Sequence, residues 1–138
     1  MNSYRWSDLH VGMSHHFSTV VTAQMMRRFL EDFGDDNPLH VDAAFAREQG
    51  FDDVVVYGLL SASFYSTLVG VHLPGRRALL QGIQVDFVRP IYVDTQLQVR
   101  GTVVYLSDAI RRIEIAARIE SNNGEVLSKA KLKVGLRE

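Results

Sequence analysis

The chain has 138 residues, which fits one domain over 1–138, and 46% of them are hydrophobic, enough for a real core. Lys plus Arg number 15 against 16 Asp plus Glu, so the formal net charge of −1 gives no electrostatic case for a nucleic acid or an anionic membrane as partner. Zero cysteines exclude disulfides and thiolate zinc sites. The opening Met1-Asn2-Ser3-Tyr4-Arg5-Trp6 is polar, and no window approaches about 18 consecutive apolar residues. The expectation is a cytoplasmic protein with neither signal peptide nor membrane span.

In chain order, His15 to Val21 reads as a first strand, β-rich and running into a helix cap. Thr22 can cap a helix through about Phe33, with Met25, Met26, Phe29, Leu30 and Phe33 on one face that is expected to be core. Gly34 stands where a left-handed cap belongs. Gly34-Asp35-Asp36-Asn37-Pro38-Leu39-His40-Val41-Asp42 then reads as a rigid turn, because Pro38 holds its own φ and pushes Asn37 away from helical geometry. Asn37 is expected to lock this turn. Asp42 caps a short helix from Ala43 to about Gln49, ended by Gly50.

Gly58 opens a segment, 59–70, with apolar or small residues on nearly every face, so the helix should be buried. From Ala78 the period becomes that of a strand, broken at Arg89-Pro90 before Ile91-Tyr92-Val93. Further strands are expected over Gln96 to about Leu106, Ala109 to about Ser121, and Glu125 to about Leu136. Ser107-Asp108 and Asn122-Asn123-Gly124 mark the hairpin turns. One strand, a helical insert, a long helix and an antiparallel meander make an α+β domain with helices on one side of the sheet.

The chemistry concentrates in the turn. A carboxylate and an imidazole on one stiff turn can divide proton removal and proton donation. Adding water to a double bond beside a carbonyl, or removing it, requires that division. Histidine starts from a pKa of about 6.5, and a carboxylate against an apolar helix gains basicity as it loses hydration. Gly58 at the start of a helix offers an amide backed by the positive end of the dipole, and lets a carbonyl approach the backbone closely.

Asp35-Asp36-Asn37-Pro38-Leu39-His40, then Asp42, Phe45-Ala46 and Gly58-Leu59-Leu60, resemble the MaoC-like hydratases, which include the (R)-specific enoyl-CoA hydratases. Val85-Asp86-Phe87-Val88-Arg89-Pro90-Ile91-Tyr92-Val93 is similar to that family's strand and following turn. The resemblance runs from about Phe17 onwards and is densest over 34–70. It implies a hot-dog fold, a curved antiparallel sheet wrapped around a long central helix. It also implies an enzyme of fatty acid metabolism, a hydratase or dehydratase interconverting trans-2-enoyl and (R)-3-hydroxyacyl thioesters of coenzyme A or a carrier protein.

By that resemblance Asp35 and His40 are the catalytic pair; Gly58 is expected to bind substrate, and Tyr57 can donate one hydrogen bond and line the pocket. Ser66 matches a serine near the catalytic aspartate. No metal or redox cofactor is needed, the substrate itself being the thioester. A homodimer or a dimer of dimers is implied, with Arg89, Arg76 and Arg77 as candidate contacts to coenzyme A phosphates. Tyr65, Leu68 and Val69 could line the acyl tunnel or be plain core. Two departures stand out: Tyr57 replaces a common histidine, and the turn Val93-Asp94-Thr95 lacks a common glycine. Other readings are a thioesterase on the same fold and a non-catalytic acyl-thioester-binding subunit.

Overall fold

The computed structural model describes residues 1–137. Its elements are β1 (Ser14–Thr19), α1 (Ala23–Phe33), α2 (Pro38–Val41), α3 (Ala43–Glu48), α4 (Gly58–Thr67), β2 (Ala78–Phe87), β3 (Leu97–Ser107), β4 (Arg112–Ser121) and β5 (Val126–Leu136). The five strands form one antiparallel sheet in the order β1-β3-β4-β5-β2. The expected meander therefore holds for β3, β4 and β5, whereas β2 lies beyond β5 and β1 beyond β3. Both outer strands have one open edge. This is the hot-dog arrangement, an open α+β sheet with α4 laid along its inner face.

Alternation sets that inner face. Leu97, Val99 and Val103 of β3, Ile113, Ile115 and Ile119 of β4, and Leu132 and Val134 of β5 are all buried. Against them α4 and the single π-turn that continues it, Leu68–His72, bury Tyr65, Leu68 and Val69. The Tyr65 hydroxyl shares a buried 2.6 Å hydrogen bond with Ser128 Oγ on β5. Gly101 of β3 lets the helix come this close, since a Cβ there would stand 2.6 Å from Leu68 Cδ2.

In β2 a bulge between Leu80 and Gly82 adds one residue. It shifts the parity, so that Ala78 and Leu80 before it and Ile83, Val85 and Phe87 after it all turn to the inner face. Strict alternation without the bulge would put Leu80 on the opposite face from Ile83, Val85 and Phe87.

Three other expectations need correction. The central helix is not buried all round: Ser61, Ala62 and Tyr65 are buried, while Leu59, Ser63, Ser66 and Thr67 are exposed. One sheet has one inner face, and it covers one side of a helix. The hairpin turn begins later than expected, with β4 starting at Arg112 rather than near Ala109. The segment 38–41, expected as a turn, closes into one turn of helix with proline at its first position. In the turn that lacks glycine, Asp94 itself takes the left-handed conformation, φ 63.

Candidate active site

The site begins where α1 ends. Thr22 caps the start of α1 through Met25 N–H, and Gly34, at φ 71, caps its end on the Leu30 carbonyl. The chain leaving Gly34 is stitched by side chains. Asp35 Oδ1 accepts from Asn37 N–H at 3.2 Å, and Asn37 Oδ1 accepts from Leu39 N–H at 3.0 Å. Asn37 is thus the cap of α2, and its carbonyl takes the His40 N–H at 2.9 Å. Asp42 caps α3 through the amides of Ala44 and Phe45.

Those bonds carry Asp35 and His40 on one short, closed piece of backbone. His40 Nδ1 lies 2.6 Å from the Val55 carbonyl oxygen. A carbonyl only accepts, so Nδ1 carries the proton and donates it there. Nε2 is left as the working nitrogen of the ring.

Tyr57 ties the two groups together. Its hydroxyl donates to the backbone carbonyl of Asp35 at 2.6 Å, and its ring centroid lies 4.2 Å from that of His40 and 4.5 Å from that of Phe29. Burial, and then the charges of Asp35 and Asp36, push this phenol above the ordinary tyrosine range, so it stays a donor. The one hydrogen bond that Tyr57 was expected to offer goes to the backbone here.

A cavity of about 570 Å3 opens beside Asp35, within the size range of small-molecule pockets. Its apolar walls are Met25, Phe29 and Phe33 of α1 with Leu59 and Leu60 of α4. The apolar face of α1 is therefore only partly core: Met26 is buried, but Phe33 is 73% exposed and faces this trough. Tyr65, Leu68 and Val69 are buried in the core against the sheet.

Ser63, not Ser66, shares the cavity with Asp35. Ser66 is exposed nearly one helical turn further on. Helical spacing from Gly58 could have singled out Ser63, because the first turn and a half of α4 flanks the Asp35 loop. Ser63 Oγ presently donates to the Leu59 carbonyl, as Ser61 Oγ does to that of Gly58.

Gly58 is the first residue of α4, and Tyr57 at the cap position makes no side-chain bond to the helix start. It lines a second, neighbouring cavity of about 350 Å3 with Phe87, Val88, Arg89 and Ile91. The Phe87 ring lies so close that a Cβ on Gly58 would stand 3.0 Å from it. The two cavities flank the start of α4, where Leu59 is 71% exposed. Asp35 is also exposed in the single chain, so one copy does not supply the apolar cover expected around its carboxylate.

Arg89 borders the Gly58 cavity and pairs with Glu125 at 2.9 Å. Arg76 and Arg77 precede β2, the opposite end of that strand from Phe87 and Arg89, and Arg77 donates to Ser3. One chain does not bring these three arginines together. Among the described residues no group of three or more His, Cys, Asp or Glu is placed to hold a metal ion, and no helix is long and apolar enough to cross a membrane.

The MaoC-like domain model matches residues 10–124. An (R)-specific enoyl-CoA hydratase of Aeromonas caviae is 31% identical over 116 residues, covering 84% of this chain and 87% of that protein. A 3-hydroxybutyryl-CoA dehydratase of Methylorubrum extorquens is 28% identical over 134 residues, covering 96% of this chain and 85% of that protein. Among solved structures, the Aeromonas caviae (R)-hydratase superposes with a TM-score of 0.88 at 29% identity, over 94% of this chain and 98% of that one. With the Asp35–His40 turn, the central helix and the order of the strands all in place, the chain belongs to the MaoC-like domain family.

Proposed function

We propose that the protein is a hydratase/dehydratase that adds water to a trans-2-enoyl thioester to give an (R)-3-hydroxyacyl thioester, and runs the reverse reaction. The observation that carries this reading is the Asp35–His40 turn, held by Tyr57 with His40 Nε2 released for chemistry. Relatives named as enoyl-CoA hydratases and 3-hydroxyacyl dehydratases support the reaction class and the (R) product.

In the proposed reaction Asp35 and His40 hold one water between them. Neutral His40 accepts one hydrogen of that water at Nε2. Asp35 takes the other as the oxygen bonds to the β-carbon, and the β-carbon's π electrons move onto the thioester as an enolate. The Gly58 amide, with the dipole of α4 behind it, donates to the enolate oxygen. Asp35 then returns its proton to the α-carbon. Both parts of the water end on the substrate, and each protein group ends as it began. The acyl chain lies in the trough of Met25, Phe29, Phe33, Leu59 and Leu60.

The active form in this reading is a homodimer. Leu59, Ile83, Phe87 and Val88, each about half exposed or more, surround the start of α4 and the open edge of β2. A second copy there would cover Asp35 and complete the walls of both cavities.

Crotonyl-CoA tests the reaction. Loss of the conjugated enoyl absorbance without release of free thiol is expected; thiol release would instead identify a thioesterase. Asp35→Asn and His40→Ala should each lower kcat by about 100-fold to 10,000-fold while the far-UV circular dichroism is kept. Near-normal rates in either variant would remove that residue from the reaction.

A further inference from the structure

At the opposite end of β2 from Phe87, the N-terminal segment is sewn onto the body of the domain. Asn2 N–H donates to Val71 O, Tyr4 N–H to Pro74 O, and Arg76 N–H to Asn2 O. The seam holds Arg5 and Trp6 against Arg77 and Arg111, and together with Ser7 these four residues line a cleft of about 500 Å3. Three guanidinium groups in one cleft repel each other unless anions share the space. The nearby carboxylate of Asp108 is spent on holding the walls: it accepts the Trp6 indole N–H at 2.6 Å and pairs with Arg111 at 3.5 Å.

Arg111 is the last residue of the turn between β3 and β4, at a left-handed φ of 47, with its N–H toward the Asp108 carbonyl. Its guanidinium carbon lies 5.1 Å from the centre of the Trp6 ring. Arg77 has Nη1 on Ser3 O and Oγ, which aims the fork and leaves its other donors for a ligand. Oriented arginine forks beside an indole suit phosphate groups attached to a flat base.

We propose that the cleft formed by Arg5, Trp6, Arg77 and Arg111 is a phosphate-binding site that takes the nucleotide phosphates of a coenzyme A thioester. The identity of the ligand rests on the hydratase reading; the phosphate chemistry does not. Within one chain the ten residues of β2 put the cleft about 30 Å from Phe87. Two copies paired antiparallel along β2, in a register centred on the strand, set the start of one β2 against the end of the other. The cleft of one copy then serves the thioester bound at the other copy's Asp35.

Trp6 is the only tryptophan, so its emission reports on the cleft directly. The full-length protein is titrated with inorganic phosphate, adenosine 3′,5′-bisphosphate and coenzyme A, with N-acetyltryptophanamide correcting for absorbance by the base. Saturable changes are expected with all three, strongest with the nucleotides and weakened by salt. Arg5→Gln with Arg77→Gln should weaken nucleotide binding at least tenfold, and Arg77→Lys should weaken it less. No saturable change, or equal affinity in the double variant, would overturn the site.

A second measurement links the cleft to turnover. In the double variant the KM for crotonyl-CoA should rise about tenfold relative to the KM for crotonyl-N-acetylcysteamine, which lacks the nucleotide. An unchanged ratio would overturn the link to coenzyme A. Absence of turnover with both substrates would count against the hydratase reading and leave the fluorescence result standing.

Discussion

Tyr57 does at the residue scale what a longer loop would otherwise have to do. One hydroxyl fixes the backbone of Asp35, and the same ring backs His40. Tyr57→Phe keeps the ring and deletes the anchor. It should cost about 1 kcal/mol in chemical denaturation and lower kcat about tenfold to a hundredfold, with a smaller change in KM. Wild-type kcat in this variant would mean that the turn holds Asp35 without the phenol.

His72 carries a separate, structural prediction. Burial, then the positive charges of His15 and the N-terminus, lower its pKa below the ordinary histidine value, and its ring stacks on Phe17 at 4.7 Å. The unfolded chain therefore takes up a proton before the folded one does. Stability should fall as the pH drops below about 6.5, and His72→Gln should flatten that part of a melting profile.

Among the elements, α1 was legible almost to the residue. Its signals are local: a threonine oxygen to start it, a glycine to end it and an apolar stripe between. The extent of the edge strand β2 was legible too, but not its bulge, which is decided by pairing with β5 residues more than fifty positions away in the chain. The place of Ser63 beside Asp35 has a similar origin. Composition showed a helix with small residues on nearly every face, and packing beside the Asp35 loop puts Ser63 in its cavity. The closest approach of helix and sheet offers a test: in Gly101→Val, side-chain carbons would meet Leu68 and Ile115, at a cost of about 1–3 kcal/mol in urea unfolding.

For the whole molecule, the open edge of β2 matters most. A strand of ten residues with Leu79, Ile83 and Phe87 partly exposed invites a second strand. If the proposed homodimer pairs along β2, Ile83→Lys should shift sedimentation toward the monomer and lower activity most at high dilution. An unchanged sedimentation coefficient would count against that pairing.

The residues by themselves determined what depends on neighbours in the chain. The helix caps, the proline-locked turn that carries Asp35 and His40, the last hairpin and the α+β class are all of this kind. Only the tertiary structure decided which strands lie side by side, that Tyr57 spends its hydroxyl on the Asp35 carbonyl, and that the trough is built from α1 and the start of α4. It also separated Arg76 and Arg77 from Arg89. Local conformation follows from the steric and hydrogen-bonding preferences of a few adjacent residues. The meeting of distant segments follows from how apolar faces are shared among all of them at once.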